Sequence, residues 1–315
     1  MTVEATVWRV GIIGINSAGL YLLERLSLTP NIRIVGAFDP DPARRGLADH
    51  FGCALWKELP STLAALETDV LFFAGEISTN VISMVLGNGQ HVVLHEPWRL
   101  SSDVLFDLSK SATTTNRVAT VSCIRRWSAD FVGAMTANNS GRLGTLQTVR
   151  FSSCEQGIPL DNSSAGMLRE FGYHWLDQLL ILIDSAPVRV FARRFFEDGE
   201  TYDHGVWATI EFANGCLAQI DLQSRSRLSH RTGWMLEGST GSYRNDRLYT
   251  TTAEGEIVDE PLPHSERPAD PLIDELKLAW QGETTKLPTL ANAARVVKLI
   301  EAIEQSAELC EVIRL

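Results

Sequence analysis

The stretch RVGIIGINSAGLYLLERLS, Arg9–Ser27, decides the fold. Arg9 to Gly14 is a short unbroken apolar run of the kind that a strand buried on both faces requires, and Ala18 to Ser27 switches to helical spacing of apolar residues. Between them, Gly14-Ile15-Asn16-Ser17-Ala18-Gly19 puts glycines at the bend and in the first helical turn. The first glycine permits the turn and the last lets the helix pack closely. The N–H groups at the helix start have no partner inside it and favour an anion. The middle position of such a turn is ordinarily glycine, so that backbone can approach a pyrophosphate. Asn16 stands there instead, a residue that reaches unusual backbone angles more readily than most but brings a side chain beside the phosphates.

Outward from this turn the alternation continues. Ile32 to Phe38, Asp69 to Phe73, His91 to Leu94 and Val118 to Ser122 read as further strands, and Pro42 to Phe51, Ser61 to Leu66, Asn80 to Leu86 and Ser101 to Thr113 as helices. Crossovers of this length imply an α/β domain over residues 1–122, a doubly wound parallel sheet of the Rossmann type. Asp39 ends the second strand, placed to accept hydrogen bonds from an adenosine ribose and to repel a 2′-phosphate. The turn and Asp39 together point to NAD or NADP, with NAD favoured, although Arg44 and Arg45 follow closely enough to serve NADP. The plainer alternative is an ordinary strand–helix turn with Asp39 capping the helix near Pro42.

From residue 123 to 315 the pattern is that of an α+β domain with a largely antiparallel open sheet, suited to substrate binding and oligomerisation. Phe131 to Asn138 and Met167 to Ile183 are helical in pattern, and Leu146 to Ser152, Val188 to Phe195, Gly205 to Phe212, Cys216 to Gln223 and Gly233 to Leu236 read as strands. Asn214-Gly215 marks a hairpin, since both residues tolerate positive φ. Val258 to Asp270 reads as loop, and Thr289 to Glu308 as a final helix free to pack back on the first domain.

The composition is that of a soluble globular protein. A net charge of −11 opposes association with nucleic acid, which needs clustered Lys and Arg. No apolar run is long enough to cross a membrane, and the start has no export signal. The cysteines Cys53, Cys123, Cys154, Cys216 and Cys310 are odd in number and never spaced as CxxC, which implies a reducing, cytoplasmic setting.

Two short segments carry the chemistry. In Arg169-Glu170-Phe171-Gly172-Tyr173-His174-Trp175-Leu176-Asp177, the residues Glu170, His174 and Asp177 form one polar stripe on an apolar helix. An unperturbed histidine titrates near neutral pH, so His174 is a candidate to take a hydroxyl proton directly or through Glu170. Equally, Glu170 and Asp177 could simply charge-balance a core histidine. Gly172 leaves room for a ligand or a neighbouring backbone. Tyr173, Trp175 and Trp98 offer apolar rims to a sugar or polyol, or core packing. The second segment is His91–Leu100, HVVLHEPWRL, a buried strand running into a polar turn. His95, Glu96, Glu170, His174 and Asp177 resemble a ligand list, but their spacings match no compact metal motif, so no metal is expected.

These stretches, with VSCIRRWSADF, the Gly238–Ser242 turn and LPTLANAARVVKLIEAIEQSAE, resemble in order and spacing the glucose–fructose oxidoreductase, inositol dehydrogenase and rhizopine catabolism oxidoreductase family across nearly the whole chain. The resemblance implies an NAD(P)-dependent oxidoreductase acting on a sugar, polyol or related hydroxy or keto compound. It also implies a homodimer or homotetramer formed through the second sheet. The family's Glu-Lys-Pro signature falls on His95, Glu96 and Pro97, and its D-x-G-x-H segment on Glu170, Gly172 and His174. Gly14, Ile15, Asn16, Ser17, Gly19, Asp39 and Pro97 then hold cofactor. His174, Glu170 and Glu96 are the catalytic set, and Trp98, Arg126, Tyr173 and Asp177 the substrate contacts. Arg125 and Arg126 read either as contacts to substrate or cofactor phosphate or as interdomain ion pairs.

The missing lysine matters because an ionised glutamate accepts hydrogen bonds where lysine donates them. If Glu96 lies beside Glu170 the pair holds protons more readily than isolated acids, which permits a reassigned mechanism. The exchange equally suits a retired enzyme that binds a nucleotide or metabolite as a regulator. A third alternative is a lyase or glycoside hydrolase assisted by bound NAD.

Overall fold

The chain is described as a computed structural model for residues 7–56, 58–59, 67–75, 78–154, 165–227, 233–262 and 271–315. The expected helix over 61–66 and most of the expected loop over 258–270 fall outside these residues. Two compact units result, Met1–Cys123 with Leu272–Ala294, and Ile124–Pro271 with Arg295–Leu315.

In the first unit, strands β1 (Trp8–Ile13), β2 (Ile32–Phe38), β3 (Ala54–Leu55), β4 (Val70–Phe73), β5 (His91–Leu94) and β6 (Ala119–Val121) alternate with α1 (Ser17–Ser27), α2 (Pro42–Arg45), α3 (Thr79–Gly87) and α4 (Ser102–Thr115). The sheet runs β3-β2-β1-β4-β5-β6 and is parallel throughout. This is a Rossmann sheet, whose order reverses beside β1 and opens a crevice at the carboxyl ends of the strands. Its apolar runs are buried on both faces: Ile12, Val70, Leu71, Phe72 and Phe73 have no exposed surface. The second helix is shorter than its sequence suggests. It stops at Arg45 and continues as a 3₁₀ segment over Gly46–Phe51, because Gly46 is a poor helix former at the junction.

The second unit opens with α5 (Ala129–Asn139) and β7 (Leu146–Cys154). A π-helical turn over Met167–Gly172 then leads into α6 (Tyr173–Ile183). Strands β8 (Pro187–Phe195), β9 (Gly205–Phe212), β10 (Leu217–Gln223), β11 (Gly233–Gly238), β12 (Gly241–Arg244), β13 (Arg247–Thr251) and β14 (Ile257–Pro261) follow. The helices α7 (Pro271–Trp280) and α8 (Leu290–Leu309) precede a last short strand, β15 (Ile313–Arg314). The sheet order is β14-β13-β12-β11-β7-β10-β9-β8-β15, with β7 and β10 its parallel pair. Alternation decides its faces. Val149, Phe151, Ile210, Ile220 and Trp234 are buried, and the ring of Phe151 lies 5.1 Å from Trp175 of α6 and 4.6 Å from Trp234. Arg150, Gln219, Trp207 and Met235 point to the opposite face and remain partly or fully accessible.

Two local expectations are corrected. Ile257–Pro261 is an edge strand paired with β13, not loop; every residue in it is exposed, and an edge is where a proline and charges are tolerated. At Asn214-Gly215 only the glycine takes positive φ (85°), while the Asn214 side chain accepts the Cys216 N–H at 3.1 Å.

Candidate active site

The phosphate-type turn forms as its glycines require. Gly14 has φ 97°, and a Cβ there would lie 2.9 Å from the Ala74 backbone; a Cβ on Gly19 would collide with the Gly14 carbonyl. Asn16 does not adopt an unusual backbone angle. It sits at φ −78° in extended conformation as the N-cap of α1, and its Oδ1 accepts the Gly19 N–H at 3.0 Å. The middle glycine is therefore dispensable for geometry, but one N–H of the first turn is spent on the cap. Asp39 is buried. One carboxylate oxygen accepts the Ile15 N–H at 2.6 Å and the other the Asp41 N–H at 2.8 Å, so Asp39 fastens the turn to the end of β2. The cap of α2 is Asp41, which accepts the Ala43 N–H at 2.9 Å. Arg44 lies 3.7 Å from the same Asp41 carboxylate. The glycine-shaped turn at the start of α1, with a carboxyl side chain at the end of β2, fits a dinucleotide.

At the end of β5, Pro97 starts a 3₁₀ turn over Pro97–Arg99. Glu96 is held by Arg99, Nε to Oε2 at 2.5 Å, with only 16% of the Glu96 side chain exposed. A guanidinium thus stands beside the carboxylate at the position where the resemblance implies a lysine. Arg99 was missed in the sequence although its i, i+3 spacing from Glu96 is visible there. His95 meets the Ser122 hydroxyl at 3.2 Å, and burial lowers its pKa to about 4, so its ring is neutral near pH 7. Trp98 is buried, which favours packing over a substrate rim.

In the second unit the expected regular helix begins as a π turn, a distortion often found at functional sites. Glu170 lies in that turn and accepts the Ala165 N–H at 2.7 Å. His174, half-buried in the first turn of α6, sits edge-on to Tyr173 with ring centres 5.6 Å apart. Tyr173 is wholly buried. Asp177, also buried, is bound bidentately by Arg126 through two contacts of 2.6 Å, an ion pair inside this unit. The Arg125 guanidinium stacks over Trp175 at 5.0 Å, and Gln178 donates to the Arg125 carbonyl at 2.5 Å. Gly172 is explained by packing: a Cβ there would press on Leu168 and on Leu222 of β10, each at 3.2 Å.

Among the described residues, Glu197, Glu200 and His204 bring ligand-type atoms within 4.8 Å of one another, a grouping the sequence reading did not single out. His204 and Glu200 pair directly, and Arg225 ion-pairs with both Glu197 and Glu200, so each carboxylate already has a partner.

Fold and turn define a protein class, an NAD-binding oxidoreductase fold. Residues 133–244 match the GFO/IDH/MocA C-terminal domain family. An inositol 2-dehydrogenase of Rhizobium meliloti is 23% identical over 313 residues, covering 96% of this chain and 90% of that protein. An NAD-binding protein from Listeria innocua superposes with a TM-score of 0.85 at 24% identity, over 98% of this chain and 97% of that one. An oxidoreductase from Agrobacterium radiobacter, solved with NAD+, L-tartaric acid and magnesium, gives 0.81 at 17% identity, over 98% of each chain. The chain is thus similar, in its C-terminal part, to the Gfo/Idh/MocA family model and, over nearly its whole length, to an inositol dehydrogenase. No helix among the described residues is long and apolar enough to cross a membrane.

Proposed function

We propose that this protein transfers hydride between NAD and a sugar, polyol or related hydroxy or keto compound. The observation that carries the reading is the Gly14 turn at φ 97° on a doubly wound parallel sheet, tied to Asp39 by the Ile15 N–H. Gly14, Ile15, Asn16, Ser17 and Gly19 hold the pyrophosphate, Asp39 faces the ribose, and Pro97 shapes the edge of the cofactor site. NAD is preferred to NADP because Asp39 would repel a 2′-phosphate and Arg44 is already engaged by Asp41. The named substrates and ligands of relatives, inositol and L-tartaric acid, are both polyhydroxylated, which supports the substrate class.

When bound, NAD supplies the hydride acceptor. His174 takes the substrate hydroxyl proton, with Glu170, four residues earlier, as the candidate to relay that proton. Glu96, held by Arg99, acts as one acidic and cationic pair where the family carries lysine. The expected substrate contacts Arg126, Asp177, Tyr173 and Trp98 are all largely or wholly buried, so any role they have toward substrate is indirect. A second copy of the chain covers the open face of the second sheet, where Trp207 and Phe191 meet edge-on at 6.4 Å, giving a homodimer or homotetramer. The free cysteines suit a cytoplasmic setting, and the charge of −11 argues against a nucleic-acid partner.

Asn16 favours one other reading, a nucleotide-binding regulator without turnover, because its cap removes the Gly19 N–H from the phosphate donors. Fluorescence titration with NADH and NADPH tests the cofactor half. Saturable NADH binding, weakened about tenfold in Asp39→Asn, is expected; no binding of either dinucleotide to the unsubstituted protein would refute both readings.

A further inference from the structure

The π turn that carries Glu170 and leads into His174 is built from outside its own sequence. Asp203, fully buried between β8 and β9 in the chain, binds its first two amides: the Asp203 carbonyl accepts the Met167 N–H at 2.9 Å, and Oδ2 accepts the Leu168 N–H at 3.0 Å. Gly166, just before the turn, has φ 85°, and any Cβ there would overlap the Asp203 carboxylate. The other oxygen, Oδ1, accepts from Arg194 at 2.9 Å.

A second anchor holds the middle of the turn. Arg169 binds Glu304 of α8 bidentately, at 2.7 and 2.6 Å, and Arg194 reaches the same Glu304 at 3.9 Å. Two guanidinium groups and two carboxylates therefore alternate in one charge-balanced chain, Arg169–Glu304–Arg194–Asp203. A π turn is a strained insertion in a helix, and it persists where surroundings over-determine it. Here the surroundings are these four side chains.

We propose that Asp203 is a positioning residue for the reaction: through the two amides of the π turn and the Arg194–Glu304–Arg169 chain, it sets the direction in which Glu170 and His174 present their side chains. The inference rests on the reading of His174 as the proton-transfer residue. Burial raises the Asp203 pKa and Arg194 opposes that rise, which agrees with a carboxylate whose charge is tied to one partner. Asp203→Asn keeps an oxygen able to accept the Leu168 N–H but removes the charge that holds Arg194.

The test combines turnover with the imidazole signal of His174, read in proton–carbon correlation spectra of histidine-labelled protein and identified by its loss in His174→Ala. In Asp203→Asn we expect the His174 signal and its titration midpoint to move and kcat to fall about tenfold, with NADH affinity held within about twofold. Arg169→Lys, which keeps the charge but loses the bidentate contact, moves the same signal in a milder fashion and decides the matter if Asp203→Asn does not fold. A His174 signal and midpoint unchanged in a folded variant overturn the proposal. Lack of turnover in the unsubstituted protein instead counts against the oxidoreductase reading, and the His174 signal still decides whether Asp203 positions it.

Discussion

At the scale of single residues, the phosphate turn separates what backbone geometry demands from what a side chain adds. Gly14 is required by its φ of 97° and its contact with Ala74, so Gly14→Ala should destabilise the protein by about 1–3 kcal/mol in denaturant titrations and abolish NADH binding. Asn16 is required by neither. Asn16→Gly should cost only a few tenths of a kcal/mol of stability. It should also tighten NADH binding about threefold, because the Gly19 N–H returns to the phosphate side. Weaker NADH binding in Asn16→Gly would mean that the Asn16 side chain itself contacts the cofactor. The turn was legible because its glycines are local features. The fate of Asn16 was not, since a cap and a left-handed residue look alike in sequence and differ only in φ. Arg99 shows the same limit. Its charge three residues from Glu96 is plain in the sequence, but only the 3₁₀ turn after Pro97 shows that the two meet.

At the scale of elements, β5 carries a pH response. His91 opens the strand, and its Nδ1 accepts the Val118 N–H at 3.0 Å; His95 follows the strand, and burial is the leading cause that lowers both to about 4. An unfolded histidine titrates near 6.5, so between about pH 6.5 and about 4 the unfolded chain binds more protons than the folded one. Stability is then fully present above that window and is lost as pH falls through it. Thermal unfolding followed by circular dichroism should show the midpoint dropping across this range, less steeply in His95→Gln; an identical slope in that variant would remove His95 from the account. Elements with strong periodicity, such as α1 and the buried strands, could be read directly from the sequence. The π turn could not, because Met167–Ile183 has helical spacing throughout, and its distortion depends on Asp203 and Glu304, both distant in sequence. Edge strand β14 escaped for the opposite reason: its proline and charges are those of a loop, and pairing with β13 supplies its hydrogen bonds.

At the scale of the whole molecule, both domain classes were legible because a parallel sheet and an antiparallel sheet impose different apolar periods on the chain. The return of Leu272–Ala294 to the first unit was not, since it follows from long-range contacts such as Trp8 with Trp280, 4.9 Å between ring centres. The candidate site was legible as two motifs and a family pattern. Which of its residues are buried and how some of them are fastened required the fold: Asp177 is committed to Arg126, Tyr173 is buried, and His174 is half-buried. The account therefore stands on His174 as the group that handles the substrate proton. Its most direct test is the absorbance change of the nicotinamide at 340 nm, roughly its usual maximum, in single turnovers with NAD and a panel of inositols, aldoses and polyols. The account predicts reduction of NAD by at least one member of the panel, with the rate cut by at least about 100-fold in His174→Ala and NADH affinity little changed. Turnover that survives undiminished in His174→Ala would contradict it.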